Sequence, residues 1–334
     1  MKKRMGPGAV IALLGVILIG TILVSAVLGR YPIGLKEFFG ILGAKLAPIA
    51  PFWSKTQEAL LLNHRLPRVI LACLVGGCLS AAGASYQGVF QNPMASPDIL
   101  GASAGAGFGA ALAIFLGLGP VWVMVFAFGG SLITVAAAIF AGSRGKGSLG
   151  LILAGIMVGS LASSGTSFIK LVADPEDQLP AITYWLMGSL NGTESKDVLF
   201  GLLPMALGLA GLFLLRWKVN LLAMGDEEAR TLGIRPKALR LWVILCSTLI
   251  TAASVAVSGV IGWVGLVVPH LARRLVGSNF KHLMPAATIL GAIFLLLVDD
   301  VSRNLLTTEI PMGILTAMIG APFFIFLMGK EGRL

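Results

Sequence analysis

The chain has 334 residues, of which 57% are hydrophobic and 12% charged, with a mean hydropathy of +0.92. Soluble domains carry roughly 25% charged residues, so an ordinary soluble enzyme and a disordered chain are both excluded. The net charge of +10 is dispersed among apolar runs and forms no basic stripe of the kind a nucleic-acid binder presents. The composition is that of an all-α polytopic membrane protein.

A membrane-spanning helix needs about 20 mainly apolar residues. Ten stretches qualify, at 8–28, 69–89, 99–118, 121–141, 149–172, 198–215, 239–257, 260–276, 283–298 and 314–328. The first follows Met-Lys-Lys-Arg and resembles a signal peptide. It exceeds the roughly 7–15 residues of an apolar signal core, and a second span follows, so it reads as a retained helix. The eighth and tenth are short and interrupted by Pro or Gly. Glycines at 101, 105, 107 and 109 place small residues at spacings that let helix backbones approach closely in lipid.

Ten spans put both termini on one side, and Lys and Arg decide which. With the N-terminus inside, sixteen of the 25 basic residues face the cytoplasm and nine face outward. Six of those nine lie in the long segment between the first two spans. Both termini are therefore predicted to be cytoplasmic.

Three outward arginines break the bias. Arg65 and Arg68 flank Pro67 at the start of the second span, and Arg303 ends the ninth. They read as a cationic docking patch for an acidic protein partner, with snorkelling to lipid phosphate as the alternative. Asp299 and Asp300 stand beside Arg303 and are expected to be solvated or paired with it. Asp98, after Pro97, reads as an acid at the start of the third span. No Asp or Glu falls in the middle of a predicted span.

The largest cytoplasmic segment covers about 216–238. Residues 220–222 begin one short helical pattern, Gly225 breaks it, and Asp226 reads as the N-cap of a second, with Glu227 and Glu228 in its first turn. Leu232, Gly233 and Pro236 end it. Ala229 and Gly233 are four apart, which predicts one helix face of small residues into which a partner could pack. Outside, 174–177 is an acidic turn, and 179–190 reads as a short helix returning to the sixth span.

Further signals are negative. Gly145-Lys146-Gly147-Ser148 resembles a damaged phosphate loop, but Phe140 stands at the position of the first glycine and Gly147 at that of the hydroxyl residue, so the chain has no ATP site of that type. Cys73, Cys78 and Cys246 form no pair motif, and His64, His270 and His282 form no metal cluster.

The string Gly225-Asp-Glu-Glu-Ala-Arg-Thr-Leu-Gly233 resembles the coupling loop of ABC importer permeases of the iron-siderophore and vitamin B12 (FecCD-like) family. Arg65-Leu-Pro-Arg68, 91–101, Tyr184-Trp-Leu-Met-Gly-Ser189, 262–270 and Glu309-Ile-Pro-Met-Gly313 resemble further family strings in the family's order. The resemblance implies a single transmembrane permease domain over 1–334, of type II importer architecture. It would work as a dimer of identical chains, with two ATP-binding subunits and an extracytoplasmic substrate-binding protein in a bacterial or archaeal cytoplasmic membrane. It implies binding-protein docking at Arg65, Arg68 and Arg303. ATPase coupling would fall at Gly225, Glu227, Glu228, Ala229, Leu232 and Gly233. An inner gate would lie at Gly147, Ser148 and Leu149. The chain itself would need no cofactor, ATP and Mg being used by the ATPase partner. The implied cargo is a bulky metal chelate, a ferric siderophore by preference, with cobalamin or haem as alternatives. An ion-coupled secondary transporter would require a mid-span acid or cation site, and a membrane enzyme a cluster of reactive side chains; neither is visible in the sequence.

Overall fold

The computed structural model describes residues 5–29, 31–48, 50–143 and 147–331, the side chains of 147, 148 and 327–331 excepted. Among the described residues all regular structure is helical. In chain order the helices are α1 (Pro7–Val27), α2 (Leu35–Gly43), α3 (Lys55–Leu60), α4 (Leu66–Val89), α5 (Ala102–Phe115), α6 (Pro120–Gly142), α7 (Gly147–Val172), α8 (Gln178–Leu186), α9 (Ser195–Leu222), α10 (Asp226–Thr231), α11 (Pro236–Ser258), α12 (Val264–Val276), α13 (Phe280–Asn304) and α14 (Met312–Glu331).

The ten predicted spans correspond one to one with α1, α4, α5, α6, α7, α9, α11, α12, α13 and α14. Seven of these helices are long and apolar enough to cross a bilayer. The others are shorter: α5 has 14 residues and α12 has 13. At 1.5 Å per residue each covers only about 20 Å. Consecutive spans run in opposite directions, so the bundle has one end that carries Arg65, Arg68 and Arg303 and another that carries α10.

Helix α4 is the central post. Of its 24 residues most are buried, and it packs against α13, α11, α12 and α9. Glycine makes two of these crossings possible. A Cβ on Gly76 would lie 2.3 Å from the Gly291 carbonyl oxygen of α13, and one on Gly83 only 1.8 Å from that of Gly265 in α12. Such contacts replace the missing hydrophobic drive between helices in lipid with close van der Waals packing.

Between the first two spans the chain is not a plain loop. Helices α2 and α3 fold there over a small core of Ile33, Phe38, Ile41 and Leu61. Ser54 and Gln57 close a capping box at the start of α3. Pro67 then leaves its mark: it lacks an N–H, and its ring crowds the carbonyl four residues earlier. The chain absorbs this with a wide π turn at Leu61–Arg65, after which α4 continues to Val89.

At the same end, α8, α11 and α14 are joined by backbone hydrogen bonds. Ser189 N–H donates to the Ser258 carbonyl (2.8 Å), Met312 N–H to that of Gly188 (2.8 Å) and Gly313 N–H to that of Met187 (3.0 Å). Gly188 at φ +70° and Gly259 at φ +66° make the junction, and a Cβ on Gly259 would lie 2.3 Å from the Trp185 carbonyl oxygen. The expected outer helix at 179–190 is therefore present as α8, ending earlier, at Leu186, because Gly188 turns the chain into this junction.

Candidate functional site

At the arginine end, six charged side chains form one internal network. Arg68 lies along Asp299 and Glu309 together. Its Nε and Nη2 donate to Asp299 Oδ1 at 3.0 and 2.9 Å, and its Nη1 and Nη2 donate to Glu309 Oε1 and Oε2, both at 2.9 Å. Arg303 Nη2 donates to Ser25 Oγ (2.8 Å), to the Ser25 carbonyl (2.6 Å) and to Asp300 Oδ1, while its Nε lies 3.6 Å from Asp299 Oδ2. Arg65 donates through Nη1 to the carbonyls of Ala26 (3.0 Å) and Val27 (2.7 Å), and through Nη2 to that of Tyr31.

This arrangement follows from helix physics. The last four carbonyls of α1 have no partner within the helix and carry the negative end of its dipole. Leu28 N–H donates to the Val24 carbonyl, the guanidinium groups of Arg65 and Arg303 satisfy the carbonyls of Ser25, Ala26 and Val27, and Arg303 Nη1 also reaches the Leu28 carbonyl at 3.1 Å. Three arginines balance three carboxylates, so the network is neutral as a whole. It ties the end of α1 and the starts of α4 and α14 to the end of α13.

The expectation of three free outer cations is corrected here. Arg65 and Arg303 are only 6% and 9% exposed, and Asp299 is fully buried. Arg68 and Glu309 are the more accessible members, at 13% and 21% of the side chain. Sequence reading paired Asp299 and Asp300 with Arg303 but missed that Asp299 chiefly serves Arg68, 231 residues away; nothing local in the sequence signals that pairing.

At the opposite end, α9 runs through Leu222, so residues 220–222 finish a 28-residue helix and do not start a separate one. Only one short helix, α10, projects. Its N-cap is Gly225 at φ +138°, not Asp226. Asp226 instead grips Arg240 of α11 through two bonds of 2.8 and 2.5 Å, and that hydrogen bonding holds its carboxyl below the usual range. Ala229 is fully buried against the core and Gly233, at φ +79°, lies beyond the helix end. The predicted small-residue face of Ala229 and Gly233 is thus overturned: one anchors the turn and the other reverses the chain. What α10 presents outward is Glu227, Glu228, Arg230 and Leu232, with Met224 just before it. Leu232 is 56% exposed.

Of the gate candidates, Leu149 lies in the first turn of α7 and is exposed, while the side chains of Gly147 and Ser148 lie outside the described residues.

A further expectation to change concerns Asp98. It does not begin α5. It sits in the 3-10 turn Pro97–Leu100, and α5 starts only after Gly101 at φ +79°. Ser103 Oγ donates to Asp98 Oδ1. The recess around Asp98 is lined by Leu79, Ser96, Thr251 and Trp263. Leu79 lies roughly 20 Å from the start of α4 and 15 Å from its end. An acid therefore does stand at mid-depth of the bundle, because the chain after α4 folds back between helices before α5 begins.

No group of three or more potential metal ligands occurs among the described residues.

Comparison with known proteins agrees with this architecture. Residues 17–330 match the model of the FecCD transport family. The molybdate import system permease protein MolB of Haemophilus influenzae is 39% identical over 323 residues, 96% of this chain and 95% of that protein. The hemin transport system permease protein HmuU of Yersinia pestis is 36% identical over 99% of this chain and 98% of its own. The cobalamin import system permease protein BtuC of Halobacterium salinarum is 35% identical over 94% of each. A solved structure reported as an inward-facing conformation of an ABC transporter assigned to the metal-chelate type superposes with a TM-score of 0.87 at 36% identity, covering 97% of this chain and 99% of that one. With the family matched along almost its whole length and the same helix order in three dimensions, the chain belongs to the FecCD transport family and is a permease subunit of an ABC importer.

Proposed function

We propose that the whole chain, as one permease domain, imports a bulky metal chelate by alternating access, a ferric siderophore being the preferred cargo. Two copies work with two ATP-binding subunits and an extracytoplasmic binding protein in a bacterial or archaeal cytoplasmic membrane. The chain performs no catalysis of its own; ATP and Mg are used by the ATPase. The α10 end and both termini face the cytoplasm, and the arginine end faces outward.

The observation that carries this reading is the form of α10. A six-residue helix is pinned at its root by the Asp226–Arg240 pair and by buried Ala229. It holds Met224, Glu227, Glu228 and Leu232 away from the bundle, without an intramolecular role for the two apolar side chains. A rigid short helix with exposed apolar tips suits insertion into a groove of a second subunit. Closure of paired ATPases would then move α10, and through the Arg240 link α11, between two states of the bundle. The start of α7 at Gly147, Ser148 and Leu149 is the proposed inner gate, supported by the exposure of Leu149.

Docking of the binding protein is proposed at the arginine end. The neutral network supports the outer surface there, and Arg68 with Glu309 are the members a partner can reach. Cargo is the open choice within the family. The molybdate name of the 39% identical relative makes an oxyanion the second reading beside cobalamin and haem.

The test is Leu232→Asp in the importer purified from its native membrane through a tag on this chain. Loss of the co-purifying ATPase, with the permease still inserted and monodisperse, is expected. Normal coupled ATP hydrolysis would contradict the reading. Gly233 is a poorer target, since any side chain at φ +79° strains the backbone regardless of partner. Binding of ferric siderophores, cobalamin, haem and molybdate by the purified importer would then identify the cargo.

A further inference from the structure

The recess around Asp98 holds a carboxylate deep in the bundle. Asp98 keeps exposed surface on the single chain although it lies level with the middle of α4. A charge at that depth cannot face lipid at tolerable cost: insertion of an acid at the centre of a bilayer is unfavourable by several kcal/mol on every scale, and such residues face water or protein. Asp98 also has no cation to neutralise it. Its bonded partner is the Ser103 hydroxyl, and its ion pairs with Lys, Arg or His are absent among the described residues.

A second observation points the same way. Thr251 of α11 lines the recess and is 1% exposed, yet its Oγ1 has no hydrogen-bond partner. Buried hydroxyls are normally satisfied. Ser96, 5% exposed, adds another hydroxyl to the same wall. The opposite wall is irregular backbone: Gly259 to Trp263 is not helical, and Trp263 is left-handed at φ +70°. Non-helical backbone at membrane depth is tolerated only inside protein or against a water-filled cavity. Free space in the recess itself is about that of one water molecule, and it is only partly enclosed.

We propose that the Asp98 recess is a polar station on the water-filled transport route, where an ionised carboxylate sets a local negative potential. Cargo passing this point presents neutral, donor or cationic groups to Asp98, with Thr251, Ser96 and Ser103 exchanging hydrogen bonds with it or with its water. Bare oxyanions are disfavoured there. The word cargo rests on the importer reading; the placement of Asp98 on a water-filled route does not.

The test reads the local potential directly. In the full chain in proteoliposomes, with Cys73, Cys78 and Cys246 replaced by Ala, Ser103→Cys is modified with cationic and anionic methanethiosulfonate reagents of similar size. The ratio of cationic to anionic rate is measured with Asp98 and again with Asp98→Asn. A unit charge about 6 Å away in water changes each rate about threefold in opposite directions, so the ratio should fall about tenfold on neutralisation. Lys196→Cys, exposed at the start of α9 outside the apolar part of the bundle, provides a reference remote from Asp98. No modification of Ser103→Cys by either reagent in a monodisperse protein would overturn the proposal, as would an unchanged ratio. Neither outcome touches the ATPase co-purification test, so the two readings fail separately.

Discussion

Replacing Arg68 by Met leaves the stem of the side chain and removes the guanidinium. Asp299 then loses its bonds of 2.9 and 3.0 Å to Arg68 and keeps only Arg303, at 3.6 Å. Asp299 is fully buried, so its charge has no access to water. The network also passes from neutral to a net negative charge beside the carbonyl end of α1. Removing one partner of a buried pair costs about 3–5 kcal/mol, far above the 0–1 kcal/mol of an exposed pair. Arg68→Met should therefore destabilise the detergent-solubilised permease by about 3–5 kcal/mol in SDS titration followed by circular dichroism. Adding Asp299→Asn removes the orphaned charge and should restore more than about 1.5 kcal/mol of it, a coupling far outside the additivity of independent sites. A loss below about 1 kcal/mol for Arg68→Met, or strictly additive single and double changes, would refute the description of this cluster as a desolvated, mutually dependent network.

The crossing of α4 and α12 makes a sharper demand on volume. Gly83→Ala would place a Cβ 1.8 Å from the Gly265 carbonyl oxygen and should cost at least about 1–3 kcal/mol, whereas Gly15→Ala, with nothing within 4 Å, should be neutral in the same titration. Equal stability of the two would show that α4 and α12 are not in backbone contact. At the other end, the depressed Asp226 carboxyl has a definite sign. Its pairing with Arg240 contributes fully above the ordinary Asp pKa of about 3.9 and is lost as pH falls through the lower folded-state value. Protection factors of α10 amides, taken relative to the intrinsic exchange rate at each pH, should therefore fall on acidification through that window in the wild type and should be low throughout in Asp226→Asn. Protection independent of both pH and the substitution would remove the anchoring role of the pair.

The spans were legible because a ten-helix membrane bundle is written in long apolar runs, and each predicted run has its helix. The short spans α5 and α12 were legible in place but not in length, and α2 and α3 were not legible at all. Nothing about 99–118 reveals that its first three residues are a 3-10 turn and a left-handed glycine, since Ile99 and Leu100 are as apolar as a helix interior. Pairing across the chain was not legible. Arg65, Arg68 and Arg303 were recognised as exceptions to the positive-inside bias, but their solvent access depends on partners in α1 and α13 that no periodicity marks. Ala229 shows the same limit at smaller scale. A small residue reads equally as a cleft for a partner and as a plug in the core, and only the turn geometry set by Gly225 and Gly233 decides for the core.

The arginine network also dictates an order of events during synthesis. Arg65 and Arg68 emerge early with α4, and the carboxylates that complete the set, Asp299 and Glu309, are 231 and 241 residues further on from Arg68. At roughly 5–20 residues per second this is a delay on the order of 10–50 s. Until α13 arrives, the first helices carry uncompensated cations, and a chain truncated before α13 carries them permanently. The outer end therefore locks only after the ninth span and Glu309 have been added.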